Sequence, residues 1–279
     1  MGPAELFVVA TPIGNLEDIT LRALRVLGEV ELIAAEDTRH TRNLLSHHGL
    51  SAALTALHEH NEQQQAPLLL ERLKNGTRIA LVSDAGTPLL SDPGFRLVRL
   101  AAAAGIRVVT IPGPSAITAA LSVGGLPTDR FCFEGFLPQR SVARCKKIRE
   151  LQFETRTAVL FESGHRIRDS LADLEAVLGA EREMALCREM TKQFETVLRG
   201  PVAAVRARVE AEADQRKGEF VLLLSGCGAD AESREPEALK LARTLREYMS
   251  ASQAARVAAK IHGLPRRDLY AELESTSDT

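Results

Sequence analysis

Four short loops rich in glycine and proline are the places where this chain could do chemistry. They are Thr11-Pro12-Ile13-Gly14-Asn15, Ala35-Glu36-Asp37-Thr38-Arg39, Ser83-Asp84-Ala85-Gly86-Thr87-Pro88 and Pro112-Gly113-Pro114-Ser115-Ala116. Glycine lets a ligand approach the main chain closely, and proline stiffens a loop in one shape. One such loop is as readily an ordinary tight turn. Four in succession, each following an apolar run of strand length, point to a single crevice with little side-chain bulk. No GxxxxGK[ST] occurs, no GxGxxG opens the first helix, and HExxH and GxSxG are absent, which disfavours a P-loop, an ordinary dinucleotide site and two hydrolase classes. His58 and His60 are two residues apart, the wrong spacing for metal ligands on one helix face; they read as loop histidines, and no metal site is expected. A backbone-lined pocket without a phosphate cradle suits an adenosine ligand that carries no polyphosphate.

Acid and base candidates gather at the same strand ends: Glu36, Asp37, Asp84, Glu162 and Glu189. Asp37 and Asp84 both follow strands of the first half and are expected to face the crevice as the base region. The competing reading of each is loop capping or a salt bridge to a nearby arginine. The cations Arg39, His40, Arg42, Arg140, Arg166 and Lys192 are candidate phosphate or oxyanion partners. Arg39-His40-Thr41-Arg42 places two arginines in four residues beside a loop, where they would grip a nucleic-acid backbone without reading sequence; the alternative is a solvated helix start. Arg144, Lys146 and Lys147 form a second basic stretch, or only a solvated face.

The elements that must hold these loops alternate in period. Leu6–Ala10, Val30–Ala35, Arg78–Ser83 and Arg107–Ile111 read as buried strands, interleaved with helical segments. Leu21, Leu24 and Leu27 suit one face of a helix ending near Gly28; further helices are expected over Arg42–His48, Ala66–Lys74, Phe95–Ala104 and Ser115–Val123. Such alternation predicts a mostly parallel sheet with helices on both faces, with ligands beyond the carboxyl ends of its strands. Phe131–Phe136 reads as a crossover strand, and the charged stretch Pro138–Lys147 as a hinge or exposed loop. A second α/β unit follows, with strands Thr157–Phe161, Met184–Arg188 and Glu219–Ser225 and helices Ile167–Leu178 and Val202–Ala213. Gly226–Pro236 has linker composition. Glu237–Tyr248, Ser252–Ile261 and Arg266–Leu273, the last two flanking His262-Gly263-Leu264-Pro265, have a helix-turn-helix outline. This tail is either a packing or dimerisation element or an RNA contact, and it carries seven Lys/Arg against four Asp/Glu. The expected domains are 1–125, 126–227 and a 236–274 appendage.

Composition bounds the function classes. The chain has 279 residues, 45% hydrophobic and 26% charged, enough for two domains and too apolar for a disordered chain. Its formal net charge of −2 does not announce a nucleic-acid binder, though a local basic face remains open. Four scattered cysteines without a CxxC pair, no apolar run of membrane length and no signal-like start predict a soluble cytoplasmic protein. Nine Phe and two Tyr offer few stacking surfaces, so any RNA recognition would rest on the shape and backbone of an assembled subunit.

Longer motifs carry a resemblance. ATPIGNLEDIT (Ala10–Thr20), LIAAEDTRHTRNLL (Leu32–Leu45), LHEHNE (Leu57–Glu62), ALVSDAGTPLLSDPG (Ala80–Gly94), PGPSA (Pro112–Ala116) and GLPTDRFCFEGFLP (Gly125–Pro138) appear in order. FESGHR (Phe161–Arg166), CREMTKQFE (Cys187–Glu195), RKGEFVLL (Arg216–Leu223) and the tail's AAKIHGLPRRDLY continue the series. Together they resemble the ribosomal RNA small subunit methyltransferase I family of the tetrapyrrole (corrin/porphyrin) methylase superfamily over nearly the whole chain. The resemblance implies two α/β domains of tetrapyrrole methylase type, S-adenosylmethionine in the cleft between them, and a homodimer. It also implies 2′-O-methylation of a cytidine ribose in the decoding region of small-subunit (16S) rRNA. Carried over by motif, cofactor contacts fall on Ala85, Gly86, Thr87, Leu90, Ser115 and Ala116, with Phe161, Glu162, Lys217 and Gly218 closing from the second domain. Two other readings remain: a methyltransferase of the same fold acting on a tetrapyrrole or corrin, and a non-enzymatic RNA-binding assembly factor.

Overall fold

A computed structural model describes residues 4–227, 231–263 and 266–275. The chain forms two compact units, Met1–Gly226 and Cys227–Thr279.

The larger unit holds two five-stranded sheets. Strands β1 (Glu5–Val9), β2 (Leu32–Ala35), β3 (Leu54–Ala56), β4 (Ile79–Val82) and β5 (Arg107–Ile111) form the first, in the order β3-β2-β4-β1-β5. Every pairing is parallel. Helices α1 (Leu21–Glu29) and α2 (Thr38–His47) cover one face through Ala23, Val26, Leu27, Leu44 and Leu45. Helices α3 (Glu62–Lys74) and α4 (Phe95–Ala103) cover the other through Ala66, Leu69, Leu73, Leu97 and Ala101. Double coverage is why β2 and β4 are buried at every position and read as continuous apolar runs. The chain leaves β1 for β2 on one side and β4 for β5 on the other, so the adjacent β1 and β4 mark the point where outgoing loops part.

The expected leucine face of α1 is corrected. Thr20 caps the helix by accepting the Ala23 amide at 3.1 Å, which puts Leu21 in the first turn, 87% exposed. The buried set is Ala23, Val26 and Leu27, the three-and-four spacing of a core-facing helix, and the helix runs past Gly28.

The second sheet contains β6 (Phe131–Phe136), β7 (Thr157–Ser163), β8 (Glu183–Arg188), β9 (Thr196–Pro201) and β10 (Glu219–Leu224), in the order β6-β7-β10-β8-β9. Only β6 and β7 run parallel; the other pairings are antiparallel. Alternation along β10 sends Phe220, Leu222 and Leu224 to one face, against α7 (Ile167–Leu178) and α8 (Val202–Ala211). Val221 and Leu223 face the opposite way, onto Ile117, Ala120 and Leu121 of α5 (Ala116–Gly124). A Cβ on Gly124 would overlap the Leu223 side chain, so glycine permits this close approach. The helix that closes the first half in sequence therefore covers the sheet of the second.

Two further expectations change. Pro138–Lys147 is not a hinge: helix α6 spans Ser141–Glu150, with Ile148 in the core and Arg144 buried beside it. Strand β9 was not anticipated. It is an edge strand with only Leu198 buried, so it lacks an apolar alternation.

The smaller unit is helical, with α9 (Ala231–Leu245), α10 (Ala251–His262) and α11 (Arg266–Ser275). Ala238, Leu239, Ala242, Ala255, Ala258, Ala259, Leu269 and Leu273 form its core. Ser250 and Gln253 make a reciprocal capping box at the start of α10, and Gly263 ends that helix at φ +66°. The expected linker shrinks, since α9 already includes Ala231–Pro236; residues 228–230, and Leu264-Pro265 of the expected turn, lie outside the described residues.

Candidate functional site

The four loops meet at the carboxyl end of the first sheet and are stitched to one another. Thr11 and Gly86 exchange backbone hydrogen bonds of 2.9 and 3.0 Å, and the Thr11 hydroxyl donates to the Ser83 carbonyl at 3.1 Å. The Thr87 hydroxyl donates to the Pro114 carbonyl at 3.1 Å, joining the third loop to the fourth. Asp84 Oδ1 accepts the Asp37 amide at 2.9 Å, joining the third to the second. Glycine suits position 86 in this weave, for its φ is +80° and a Cβ there would stand 3.3 Å from Ile13 Cγ2.

Above these loops lies a cavity of about 350 Å³, large enough for a nucleoside-sized ligand. Ile13, Ala85, Gly86, Thr87, Leu90, Asp92, Ser115 and Ala116 line it from the first half, with Phe136, Phe161, Glu162, Ser163, Cys187, Met190, Lys192 and Glu219 among those opposite. Eight expected cofactor residues thus come together: Ala85, Gly86, Thr87, Leu90, Ser115, Ala116, Phe161 and Glu162. Lys217 and Gly218 do not line the cavity. Gly218, at φ +101°, instead leaves room for the folded Glu189 side chain, whose Oε1 accepts from Lys192 Nζ and the Glu219 amide, each at 2.9 Å.

Glu162 is a wall of the site. Its side chain is fully buried, and its oxygens accept from Arg166 Nη2 at 2.6 Å, the Ser170 hydroxyl at 2.6 Å and the Ser163 amide at 2.8 Å. A carboxylate so engaged holds the end of β7 in place. Lys192 is likewise occupied, bonding Glu189 and Glu219 at 2.9 Å each. Its segment closes onto the first loop: the Asn15 amide donates to Thr191 Oγ1 at 3.1 Å, and a Cβ on Gly14 would overlap Lys192. Phe161 makes edge contacts with Phe133 and Phe136, with centroids 4.9 and 5.5 Å apart.

The second loop lies off the cavity, which corrects the expected base region. Asp37 caps α2 by accepting the Arg39 amide at 2.7 Å and pairs with the Arg39 guanidinium at 2.9 Å. The hydrogen bonds from Arg39 pull its carboxyl down to about 2, which makes it a poor proton acceptor. Asp84 spends an oxygen on the Asp37 amide and does not line the cavity either. Glu36, beside it, is pushed up by burial.

Of the expected RNA-contacting residues, Arg39, His40 and Arg42 stand exposed on α2, and Arg140 is exposed at the start of α6. Arg144 is not available: it is buried, bonds Asp173 at 2.7 Å and donates to the Gln139 carbonyl at 3.0 Å. Lys147 pairs with Glu134 at 2.7 Å. Among the described residues no group of three or more His, Cys, Asp or Glu is placed to hold a metal, and no helix is long and apolar enough to cross a membrane.

The lining includes residues that sequence reasoning missed, chiefly Asp92, Phe136, Cys187 and Met190. Asp92 sits inside the SDPG continuation of the third loop. Among the described residues, four non-glycine positions adopt left-handed backbone, and all lie in two loops beside the cavity: Leu89 (φ 77°), Ser91 (φ 69°), Glu189 (φ 49°) and Thr191 (φ 64°). Such conformations cost free energy and concentrate at functional sites.

A cavity at the parting of parallel loops, roofed by a largely antiparallel second sheet, places the protein in the tetrapyrrole (corrin/porphyrin) methylase class, whose family model matches residues 5–206. Solved structures share this fold at low identity. Uroporphyrin-III-C-methyltransferase from Thermus thermophilus has a TM-score of 0.55 at 20% identity, covering 80% of this chain and 94% of that one. Diphthine synthase has 0.58 at 16%, covering 79% and 90%. A second Thermus thermophilus uroporphyrin-III C-methyltransferase structure, TM-score 0.53 at 19% identity with 78% and 96% covered, is a complex with S-adenosyl homocysteine. A model of the RsmI C-terminal HTH domain matches residues 232–274. The ribosomal RNA small subunit methyltransferase I of Escherichia coli O157:H7 is 52% identical over 266 residues, covering 95% of this chain and 93% of the relative. That of Pseudomonas aeruginosa is 49% identical over 272, covering 97% and 96%. The chain belongs to the ribosomal RNA small subunit methyltransferase I family.

Proposed function

We propose that the protein transfers a methyl group from S-adenosylmethionine to a cytidine 2′-hydroxyl in the decoding region of 16S rRNA. The observation that carries the cofactor reading is the bare main chain of Ala85–Thr87 and Ser115–Ala116 facing a nucleoside-sized apolar cavity. Uncharged amides and carbonyls suit an adenosine without phosphates, and the cavity is lined from both halves. When bound, the sulfonium supplies an electrophilic methyl group. The chain's part is then to align the acceptor oxygen, about 3 Å from the methyl carbon, and to remove its proton.

Within this reading, Gly86, Thr87, Ser115 and Ala116 present backbone to the cofactor, Leu90 and Phe161 pack against it, and Glu162 fixes the β7 wall. Arg39, His40, Arg42 and Arg140 contact RNA phosphates. Seven Lys/Arg against four Asp/Glu between Pro236 and Leu273 support an RNA contact by the C-terminal helices. Family resemblance supports a homodimer and cytoplasmic action, and the scarcity of stacking aromatics supports an assembled small subunit as the substrate. The test is transfer of labelled methyl from the cofactor to naked 16S rRNA and to assembled subunits, with the labelled ribose mapped. Label on one cytidine 2′-oxygen is expected; calorimetry showing no S-adenosylmethionine binding would overturn the reading.

A further inference from the structure

A ribose hydroxyl that gains a methyl group must lose a proton, and three carboxylates line the cavity: Asp92, Glu162 and Glu219. Glu162 is consumed by Arg166, Ser163 and Ser170. Glu219 is held to Lys192 Nζ at 2.9 Å. Asp92 differs from both. Its charged neighbours are the acids Glu36, just beyond β2, and Asp84, after β4. Across the cavity the charged groups are Glu162, Lys192 and Glu219, each already engaged by the contacts above.

The backbone is built to put Asp92 there. Leu89 and Ser91 both take left-handed conformations, so the chain reverses twice within three residues and turns Leu90 and Asp92 into the cavity. Behind it, Glu62 Oε1 accepts the Gly94 amide at 3.1 Å and the Arg96 amide at 2.8 Å, anchoring the loop to the start of α4. In front, Ser91 Oγ comes within 3.2 Å of where a Cβ on Gly135 would sit, against the irregular end of β6. Strain held in place from both sides, around a carboxylate that pairs with no cation among the described residues, is an arrangement that stability alone does not favour.

The geometry points to Asp92 as the residue that takes the proton from the ribose 2′-hydroxyl, an assignment that rests on the methyl-transfer reading above. The O–H bond breaks and its proton passes to an Asp92 carboxylate oxygen. The hydroxyl oxygen's electron pair forms the bond to the methyl carbon, while the carbon–sulfur pair leaves with sulfur as a neutral thioether. Burial, with Glu36 and Asp84 adding repulsion, pushes the Asp92 carboxyl up to about 6. The group is therefore ionised at neutral pH yet more basic than an ordinary aspartate.

The experiment compares full-length wild type with Asp92→Asn and Asp92→Glu. Asp92→Asn is expected to bind S-adenosylmethionine within about twofold of wild type by calorimetry, and to lose roughly 10²–10⁴-fold in single-turnover methyl transfer. Asp92→Glu recovers part of that loss. The wild-type rate rises with pH through about 6 and then levels, whereas the residual Asn rate lacks that limb. A readout without substrate runs alongside. A carboxyl whose folded value lies above its unfolded value costs stability progressively as pH climbs from about 4 to about 6. Ligand-free Asp92→Asn therefore gains in Tm over wild type across that interval and keeps the gain above it. Full transfer activity in the Asn variant, an unchanged pH limb, or weakened cofactor binding with the rate preserved would each overturn the assignment alone. Wild type that binds cofactor but methylates no RNA would overturn the function itself.

Discussion

Alanine at Gly86 compared with alanine at Gly76 separates the cost of a backbone conformation from the cost of intruding on the cavity. Both glycines have left-handed φ, +80° at Gly86 and +91° at Gly76. A non-glycine residue in that region costs roughly 1–2 kcal/mol, so each variant is expected to lose about that much stability. A loss of this size lowers Tm by about 2–4 °C per kcal/mol in a unit of 150–250 residues. The two positions differ in surroundings: a Cβ at Gly76 meets nothing within 4 Å, while one at Gly86 stands 3.3 Å from Ile13 Cγ2 and 3.8 Å from the Pro114 carbonyl oxygen. Ile13 lines the cavity and must yield by a few tenths of an ångström. Turning a side chain away from its rotamer costs about 0.5–1.5 kcal/mol, which, if borne by the bound state, corresponds to a rise in cofactor Kd of about two- to thirteenfold. Urea unfolding and calorimetry with S-adenosylmethionine read the two effects separately. Equal cofactor affinity in the two folded variants would refute the placement of the third loop against the ligand.

Asp173→Ala strands the buried Arg144 guanidinium and is expected to cost about 3–5 kcal/mol in urea unfolding, while RNA affinity of the folded fraction stays unchanged. Glu162→Ala, which leaves Arg166 and the buried Ser170 hydroxyl unpaired, should destabilise by a similar amount, measured the same way. Arg39→Ala with Arg42→Ala is expected to weaken subunit or RNA binding and flatten its dependence on salt; equal affinity across a salt series would remove those residues from the interface. Asp37 and Glu154, held down to about 2 chiefly by Arg39 and Arg156, stabilise the fold fully above the unfolded carboxylate range. That support is lost as pH falls from about 4 towards 2, so Arg156→Ala should flatten the acid limb of a Tm profile.

Much of the site was legible because it is made of main chain. Gly86 and the prolines around it declare a backbone conformation by their residue type, and four such loops after apolar strands can converge in only a few ways. Side-chain roles were harder to read. Asp37 looked like a base because it follows a strand, yet a partner two residues along, Arg39, takes its charge. Nothing in the order of residues shows that Leu89 and Ser91 reverse the backbone, and without those reversals Asp92 reads as a turn residue. Pro138–Lys147 concealed a helix because one of its two core positions is an arginine, so no apolar period marks it. Glu189 and Lys192 read as free chemistry; the pairing that occupies them is closed by Glu219, distant in sequence.

Because α5 supplies the inner cover for β7, β8 and β10, the second half of the larger unit does not own a complete interior. Cutting the chain at 125 and expressing the pieces apart would bare an oily slab on the later fragment and leave the earlier one with a helix that has nothing to rest on. Engineers wishing to graft a new recognition half onto this enzyme would have to carry residues 116–124 along with it.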